Sequence, residues 1–250
     1  YGRPEGSLPG IINEATHLEE VLPELARSIV DGQVLALRIA NQPPYGVLLR
    51  VDNLDLLKKV WFVKGRVLGG QADLTKKPVT ALSPRQLENC LDWGTLEKSG
   101  YGKQQVMCIL NFGIHTVLPV TEKVPRHLIT YTQNCPTLSV MKFEESSPFR
   151  HLVTLVSDLD PQAIVGGTSL NFEGRKPYID SCVVLNETAG RGSYIDLFVL
   201  SDTQEKRGVK KEPFHAMISL LTGAPRILRR GIGYKRTMAG LREMNLRVSN

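Results

Sequence analysis

Residues 163–174 read AIVGGTSLNFEG, a short apolar run followed by a glycine pair and a polar stretch. The run Ala163–Gly167 predicts a buried strand that enters a glycine turn. Backbone amides at bare glycines, together with the Ser169 and Asn171 side chains, suit contact with a phosphate, a sugar or a base. A polar turn without any ligand has the same composition, so this stretch alone leaves both interpretations open.

Helical and strand patterns interleave on both sides of this stretch. Helices are predicted after a capping box at Thr16, with a later start or a kink at Pro23, and then over Leu54–Val63, Pro84–Leu91, from Pro148 to about Val156, Pro213–Leu221 and Tyr234–Met244. Strands are predicted over Gln33–Ile39, Gly46–Val51, Pro78–Leu82, Val106–Leu110, His115–Val120, Leu128–Thr132, Thr137–Phe143, Cys182–Leu185, Tyr194–Leu200 and Arg226–Gly231. The order predicts an α/β (mixed α+β) domain, with helices against a mixed sheet.

Composition bounds the class of protein. The chain has 250 residues, of which 42% are apolar, so it can bury a sizeable core. Residues 1–15 read as an extended arm, 16–250 as a single domain, and Val67–Lys77 as a surface loop. No apolar run is long enough for a transmembrane helix. The four cysteines form no CxxC motif and read as free thiols, which weakly favours a reducing, cytoplasmic location; organellar targeting upstream of residue 1 stays open.

Positive charge is concentrated near the C-terminus. Lys and Arg number 31 against 25 Asp and Glu, a net charge of +6. Residues 206–250 carry eleven of the cations and two acids, so the other 205 residues carry a net charge of −3. Such a segment suits the phosphates of a nucleotide or of RNA, and a solvated basic surface explains it equally well.

Few patterns in the chain point to specific chemistry. Walker-type phosphate loops, GxGxxG, GxSxG and HExxH are absent, and the five histidines lack metal-ligand spacing, so no metal site is predicted. Lys64-Gly65-Arg66, at the end of a predicted helix, is followed by Lys76-Lys77-Pro78. These cations suit an anion clamp, although Lys, Gly and Arg are also favoured at helix C-termini for local reasons. Arg226–Gly231 is a third, weaker basic stretch.

The order of these stretches resembles the Sua5/YciO/YrdC family, over roughly residues 18–233. The similar segments are Ala26–Gly32 and Gln33–Leu37 (first helix and strand), Tyr45-Gly46 (end of PT-x-T-x-YG), Lys64-Gly65-Arg66 (K-x-R), Lys77-Pro78-Val79 (KPL), Phe112–Thr116 (PGP-x-T), Thr137–Val140 (T-[VL]-[AG]-V), Thr168–Asn171 with Gly174 (S-A-N-x-S-G), Ser193–Asp196 (STIVD) and Ile227–Gly231 (I-[LI]-R-x-G).

The resemblance implies a twisted mixed sheet around an open basic cavity. It also implies threonylcarbamoyl-AMP synthase-like chemistry for tRNA modification, in which a carbamate of threonine and bicarbonate attacks the α-phosphate of ATP, with Mg²⁺ on the phosphates. Carried over by motif, Lys64 and Arg66 are catalytic. The implied nucleotide-binding residues are Thr116, Ser139, Ser169, Asn171, Ser193 and Arg229, and the implied substrate-binding residues are Arg38, Tyr45 and Met141.

Several positions depart from the family pattern. The segment Arg38–Tyr45 is longer than the PT-x-T loop and has neither threonine, Met141 replaces an arginine, and Glu173 puts an acid near the expected phosphates. Three hypotheses therefore stay open: a synthase that uses threonine, a repurposed enzyme of specialised metabolism that acts on another small substrate, and a non-catalytic binder of tRNA or double-stranded RNA. ATP binding at Lys64 would separate the enzymes from the RNA binder.

Overall fold

The computed structural model describes residues 10–13, 18–38, 45–143, 147–175, 194–200 and 215–249. The elements are β1 (Gly10–Asn13), α1 (Leu18–Val30), β2 (Leu35–Arg38), β3 (Tyr45–Arg50), α2 (Leu54–Val63), β4 (Val67–Leu68), β5 (Gln71–Ala72), β6 (Val79–Ala81), α3 (Pro84–Cys90), α4 (Trp93–Lys98), α5 (Lys103–Leu110), β7 (His115–Pro119), a 3₁₀ helix (Arg126–Leu128), β8 (Thr130–Thr132), β9 (Cys135–Val140), α6 (Pro148–Leu159), β10 (Val165–Ser169), β11 (Leu197–Leu200), β12 (Met217–Ser219), β13 (Arg226–Arg229) and α7 (Tyr234–Glu243). Among the helices of the described residues, none has the length and apolarity to cross a membrane.

One mixed sheet organises the molecule. Its strand order is β1-β11-β2-β3-β10-β6-β9-β7-β12-β13, and β8 pairs with β9 outside this path. β1–β11, β11–β2, β6–β9 and β7–β12 are parallel pairs, whereas the other pairs on the path are antiparallel. The predicted α/β mixed sheet is confirmed. β1, within the predicted N-terminal arm, forms an edge strand.

Two apolar clusters pack against the sheet. The first contains the α1 residues Leu22, Leu25 and Ile29, and it lies between α1, α6 and the strands. These residues recur every three or four positions, so they share one face of α1. The second cluster is centred on Trp61 of α2 and includes apolar residues of α3 and α5. Burying a side chain of this size stabilises the fold by about 1.5–3 kcal/mol, so the two clusters hold helices on the sheet.

Local signals set several helix boundaries. Asn53 caps α2 through a hydrogen bond from the Leu56 amide, and α2 has the predicted bounds. Ser83 and Gln86 form a reciprocal capping box at the start of α3. α7 also forms where the apolar spacing predicted a helix. In each case the neighbours along the chain supply the hydrogen bonds or the periodicity that the helix needs.

Two predicted elements are wrong. Val106–Leu110 was expected as a strand, but it belongs to α5. Val106, Ile109 and Leu110 are all buried, and their spacing matches one helical face as well as a short apolar strand. The helix expected over 213–221 is also wrong, because Met217–Ser219 forms β12, while residues 213 and 214 lie outside the described residues. In both segments, packing against the sheet decided between two patterns that the residues allow.

Other predictions are adjusted by the tertiary contacts. α1 begins at Leu18 and continues through Pro23, so the later start does not occur; Thr16 lies outside the described residues. The stretch expected as a surface loop at Val67–Lys77 contains the short β4–β5 hairpin. α4 was not predicted, and Asp92 caps it. The predicted strand Cys182–Leu185 lies outside the described residues.

The glycine pair lies inside β10 rather than in a turn. A Cβ on Gly167 would lie 2.3 Å from the carbonyl oxygen of Val47, and a Cβ on Gly166 would lie 2.7 Å from a methyl group of Val51. β10 pairs with β3 on one side and with β6 on the other. Glycine is therefore required here for the close approach of strands, and the polar turn begins after Ser169.

Candidate functional site

A cavity of about 240 Å³ is lined mainly by residues of the sheet. Residues from β3, β6, β7, β10, β12 and β13 line it, together with chain segments that follow α2 and β9. The lining residues are Gly46, Leu48, Arg66, Lys77, Val79, Thr80, Ala81, His115, Met141, Phe143, Gly166, Gly167, Thr168, Ser169, His215, Met217 and Arg229. The two glycines expose the backbone of β10 on this wall.

The lining of the cavity is basic. Arg66, Lys77 and Arg229 contribute positive charge from three separate elements, and the described lining includes no carboxylate. The walls between these groups are apolar, from Leu48, Met141, Phe143 and Met217 in the same lining. A low-polarity surrounding strengthens the attraction between a cation and a ligand anion. The cavity therefore suits a ligand with negatively charged groups.

Arg66 lies at the β10 side of the cavity, just after α2. Its guanidinium carbon is 4.7 Å from the centre of the Trp61 ring, a cation–π contact that fixes the side chain. Its Nε donates to Glu173 Oε2 at 3.3 Å. Burial lowers the pKa of Arg66 from its usual value, yet an arginine stays charged at neutral pH. Arg66 therefore presents a positioned cation at the cavity wall.

Lys64, which is catalytic by the family resemblance, lies buried beside the polar turn after β10. Its side chain is fully buried, and Nζ donates to the carbonyl oxygens of Ser169 at 2.6 Å and Asn171 at 2.5 Å. Burial, followed by the nearby charge of Arg66, lowers the pKa of Lys64 to about 7. Lys64 is not among the residues that line the cavity. In this conformation it ties α2 to the polar turn after β10.

Glu173 neutralises part of the charge near Arg66. Its carboxylate accepts hydrogen bonds from Lys76 Nζ and Arg66 Nε, and its amide donates to the Lys64 carbonyl at 2.8 Å. The hydrogen bond from Lys76 is the main reason that the pKa of Glu173 is lowered, with the charges of Lys76 and Arg66 adding to it. The acid that departs from the family pattern is thus held by two cations beside the cavity.

A second polar cluster lies on the β12–β13 side of the cavity. The His115 and His215 rings stack with their centres 5.6 Å apart and an angle of 18° between their planes. Arg229 Nη2 is 3.3 Å from His115 Nδ1, and Arg229 Nε donates to the His215 carbonyl at 3.0 Å. Burial, with smaller contributions from His215 and Arg229, lowers the pKa of His115 to about 3. Burial likewise lowers the pKa of His215, so both rings are neutral at neutral pH.

Of the other predicted nucleotide-binding residues, some line the cavity and some do not. Ser169 lines the cavity and donates from Oγ to Asn171 Oδ1 at 2.5 Å. Asn171 in turn donates from Nδ2 to the Arg175 carbonyl at 2.6 Å, which orders the turn. The hydroxyls of Thr116 and Ser139 are buried, and neither has a hydrogen-bond partner among the described residues. Neither of these two residues belongs to the cavity lining.

The predicted substrate residues are partly described. Met141 lines the cavity, directly after β9. Arg38 and Tyr45 are register partners at the ends of β2 and β3. Residues 39–44 of the altered loop, and Ser193, lie outside the described residues. Tyr194, which follows Ser193, is buried and close enough to Arg66 to interact with its charge.

Two histidines that carry no predicted role line the cavity. His115 and His215 are 100 positions apart, and neither histidine was assigned a functional role from the sequence. They meet because β7 and β12 are parallel neighbours, with Met217 opposite His115 in the register. Lys77 also lines the cavity, and its cationic signal was visible in the Lys76-Lys77 pair. Within the described part of the chain, His, Cys, Asp and Glu form no cluster of three that could hold a metal ion.

Comparison with known proteins gives a consistent answer for the fold. No family model and no curated protein matches the chain, but solved structures do. P. abyssi Sua5 complexed with L-threonine matches with a TM-score of 0.65 at 19% identity, covering 97% of this chain and 63% of that chain. E. coli YciO matches with a TM-score of 0.60 at 14% identity, covering 92% of this chain and 98% of the YciO chain. Full-length HypF in a phosphate- and nucleotide-bound form matches with a TM-score of 0.61 at 16% identity, covering 85% of this chain and 29% of the HypF chain.

The chain has the fold of Sua5 and YciO. The resemblance seen in the sequence motifs is thus confirmed at the level of the fold, with identities that fit a divergent sequence. The chain spans less than two thirds of the Sua5 chain that it matches. The YrdC-like sheet and the basic cavity are therefore findings, whereas the reaction is a matter for proposal.

Proposed function

We propose that this protein is an ATP-dependent nucleotidyltransferase that forms a carbamoyl-adenylate, with threonine and bicarbonate as the default substrates. The observation that carries the proposal is the convergence of Arg66, Lys77 and Arg229 on one cavity whose described lining has no carboxylate. Three fixed cations from separate elements suit a polyphosphate better than a neutral ligand. Two of the similar structures support a cavity of this kind, since the P. abyssi Sua5 structure holds L-threonine and the full-length HypF structure holds phosphate and nucleotide.

The proposed reaction has two steps. The amine of threonine and bicarbonate first form a carbamate with loss of water. A carbamate oxygen then attacks the α-phosphorus of ATP, forming a P–O bond, while the bond to the β-phosphate oxygen breaks and pyrophosphate leaves. Negative charge on the transferring group is stabilised by fixed donors, a role that suits Arg66 at the cavity wall.

Lys64 and magnesium have limited roles in this proposal. Lys64 positions the turn after β10 through two carbonyl hydrogen bonds, so it acts on the nucleotide through Ser169 and Asn171. The cavity lining offers no described carboxylate for Mg²⁺, and the carboxylate of Glu173 is held by two cations. Magnesium would therefore be held by the phosphates and neutralise their charge.

Ligand-induced stabilisation and pyrophosphate release test the proposal. ATP·Mg²⁺ at 100 times its dissociation constant should add about 2.7 kcal/mol to the free energy of unfolding. Threonine with bicarbonate should increase that stabilisation and start pyrophosphate release. Arg66→Ala should abolish both effects, whereas Arg85→Ala, which removes an exposed cation on α3, should change neither.

Each outcome separates the hypotheses left open by the sequence. Stabilisation by ATP with no response to threonine would point to another amine or carboxylate, that is, to a repurposed enzyme. An absence of any ATP effect would contradict the proposal. Tight, salt-dependent binding of tRNA in that case would favour a non-catalytic RNA binder.

A further inference from the structure

The cavity has two polar clusters on different sides. Ser169 belongs to β10 and Arg229 to β13, and four strands separate β10 from β13 in the sheet order. Neighbouring strands lie about 4.8 Å apart, so these two strands are about 24 Å apart along the sheet. Both residues nevertheless line the same cavity. Arg66 and Lys77 account for one side, and the cluster of His115, His215 and Arg229 requires its own explanation.

The hydrogen bond from Arg229 defines the tautomer of His115. A guanidinium has donors only, so His115 Nδ1, at 3.3 Å from Arg229 Nη2, must be the acceptor. A neutral imidazole with an accepting Nδ1 carries its proton on Nε2. The second contact of Arg229, to the His215 carbonyl, orients the guanidinium against both segments. His115 therefore offers an N–H donor at Nε2.

Among the described residues, the two rings have no acceptor for their N–H groups. His115 Nε2 and the ring nitrogens of His215 make no hydrogen bond to any other described residue, and both rings line the cavity and are half-buried. A ring N–H that faces a cavity is satisfied by water or by a ligand atom. In a cavity, a ligand atom is the natural acceptor for such a group.

We propose that His115, His215 and Arg229 form a second anion-binding subsite, which accepts a negatively charged oxygen of a carboxylate or a phosphate. The identity of the occupant rests on the proposed function, in which the cavity holds both a polyphosphate and a carboxylate. The positive charge of Arg229 disfavours a metal cation at this place. Met141 and Met217 provide apolar walls that strengthen the attraction between the anion and the donors.

Calorimetric titration of the full chain tests the subsite with defined probes. The probes are pyrophosphate for a phosphate source, L-threonine with bicarbonate for a carboxylate source, and adenosine as an uncharged control. His115→Leu removes the donor, and His115→Gln retains an N–H near the same position. His151→Leu, at an exposed histidine of α6, is the matched control.

His115→Leu should lower the affinity for one of the two anionic probes about tenfold, which is the effect of losing a charge-assisted hydrogen bond. The affected probe identifies the source of the anion. His115→Gln should restore most of the affinity, and adenosine should bind all variants alike. The inference is overturned if both anionic probes bind His115→Leu as tightly as wild type, if neither probe binds wild type, or if adenosine loses affinity in parallel.

The result also distinguishes failure of this inference from failure of the proposed function. ATP binding that depends on Arg66 but not on His115, with threonine equally insensitive to His115, would remove the subsite and leave the proposed function standing. Binding of pyrophosphate or threonine that depends on His115, without any binding of ATP, would support the subsite and remove the proposed function.

Discussion

Glu173 competes with ligand phosphates for the cations beside the cavity, so Glu173→Gln should tighten the binding of pyrophosphate. The carboxylate is 40% exposed, and it pairs with Lys76 and with the more buried Arg66. Partly exposed ion pairs contribute about 0.2–1 kcal/mol each, and two pairs at about 0.5 kcal/mol give about 1 kcal/mol. Removing that competition corresponds to about a fivefold gain in affinity.

The assay is calorimetric titration of pyrophosphate at low and at high salt. The gain should shrink at high salt, because exposed charges are screened. Glu97→Gln on α4 removes the same charge at an exposed position, and it should leave the affinity unchanged. Equal or weaker binding by Glu173→Gln would refute the reasoning and would assign Glu173 to ordering the turn after β10 instead.

Three further substitutions test the structural argument. Lys64→Met should lower the free energy of unfolding by about 1–3 kcal/mol in urea, since two partly buried carbonyls lose their donor; unchanged stability would contradict this. The pKa of His115 falls from 6.5 in the unfolded chain to about 3 in the folded protein, so its contribution to stability is present above pH 6.5 and is lost on acidification. Between pH 7.5 and 4.5, His115→Gln should therefore lose about 2–3 kcal/mol less of its free energy of unfolding than wild type. Parallel losses in the two proteins would contradict this. Gly167→Ala should cost at least about 3 kcal/mol because its Cβ meets a strand carbonyl, whereas Gly94→Ala on α4 should be nearly neutral, and equal melting temperatures would refute the packing argument.

Local signals predicted those elements whose information lies within a few residues. α2 has the predicted bounds, and Ser83 with Pro84 begins α3 as expected. Capping and periodicity act between neighbours in the chain, so they can be seen without the rest of the molecule. The order of short motifs also predicted the YrdC-like fold, although no single motif was decisive.

Short apolar runs were where prediction from the sequence failed. The apolar spacing of Val106–Leu110 fits both a buried strand and one face of a helix. The segment forms a helix, and its buried residues pack in the second apolar cluster. Met217–Ser219 joined the sheet because β7 and β13 flank it on both sides. Such choices depend on partners distant in sequence, which local propensity does not include.

The amino-acid sequence by itself determined the helix caps, the apolar faces, the excess of positive charge and the order of motifs that marks the fold. The tertiary structure alone decided which of these cations face the cavity. It buried Lys64 against two carbonyls, placed Arg66 on the wall, and stacked His115 on a histidine 100 positions away. The physical reason is that a site is made by strand pairing and burial, which join residues that have no relation along the chain.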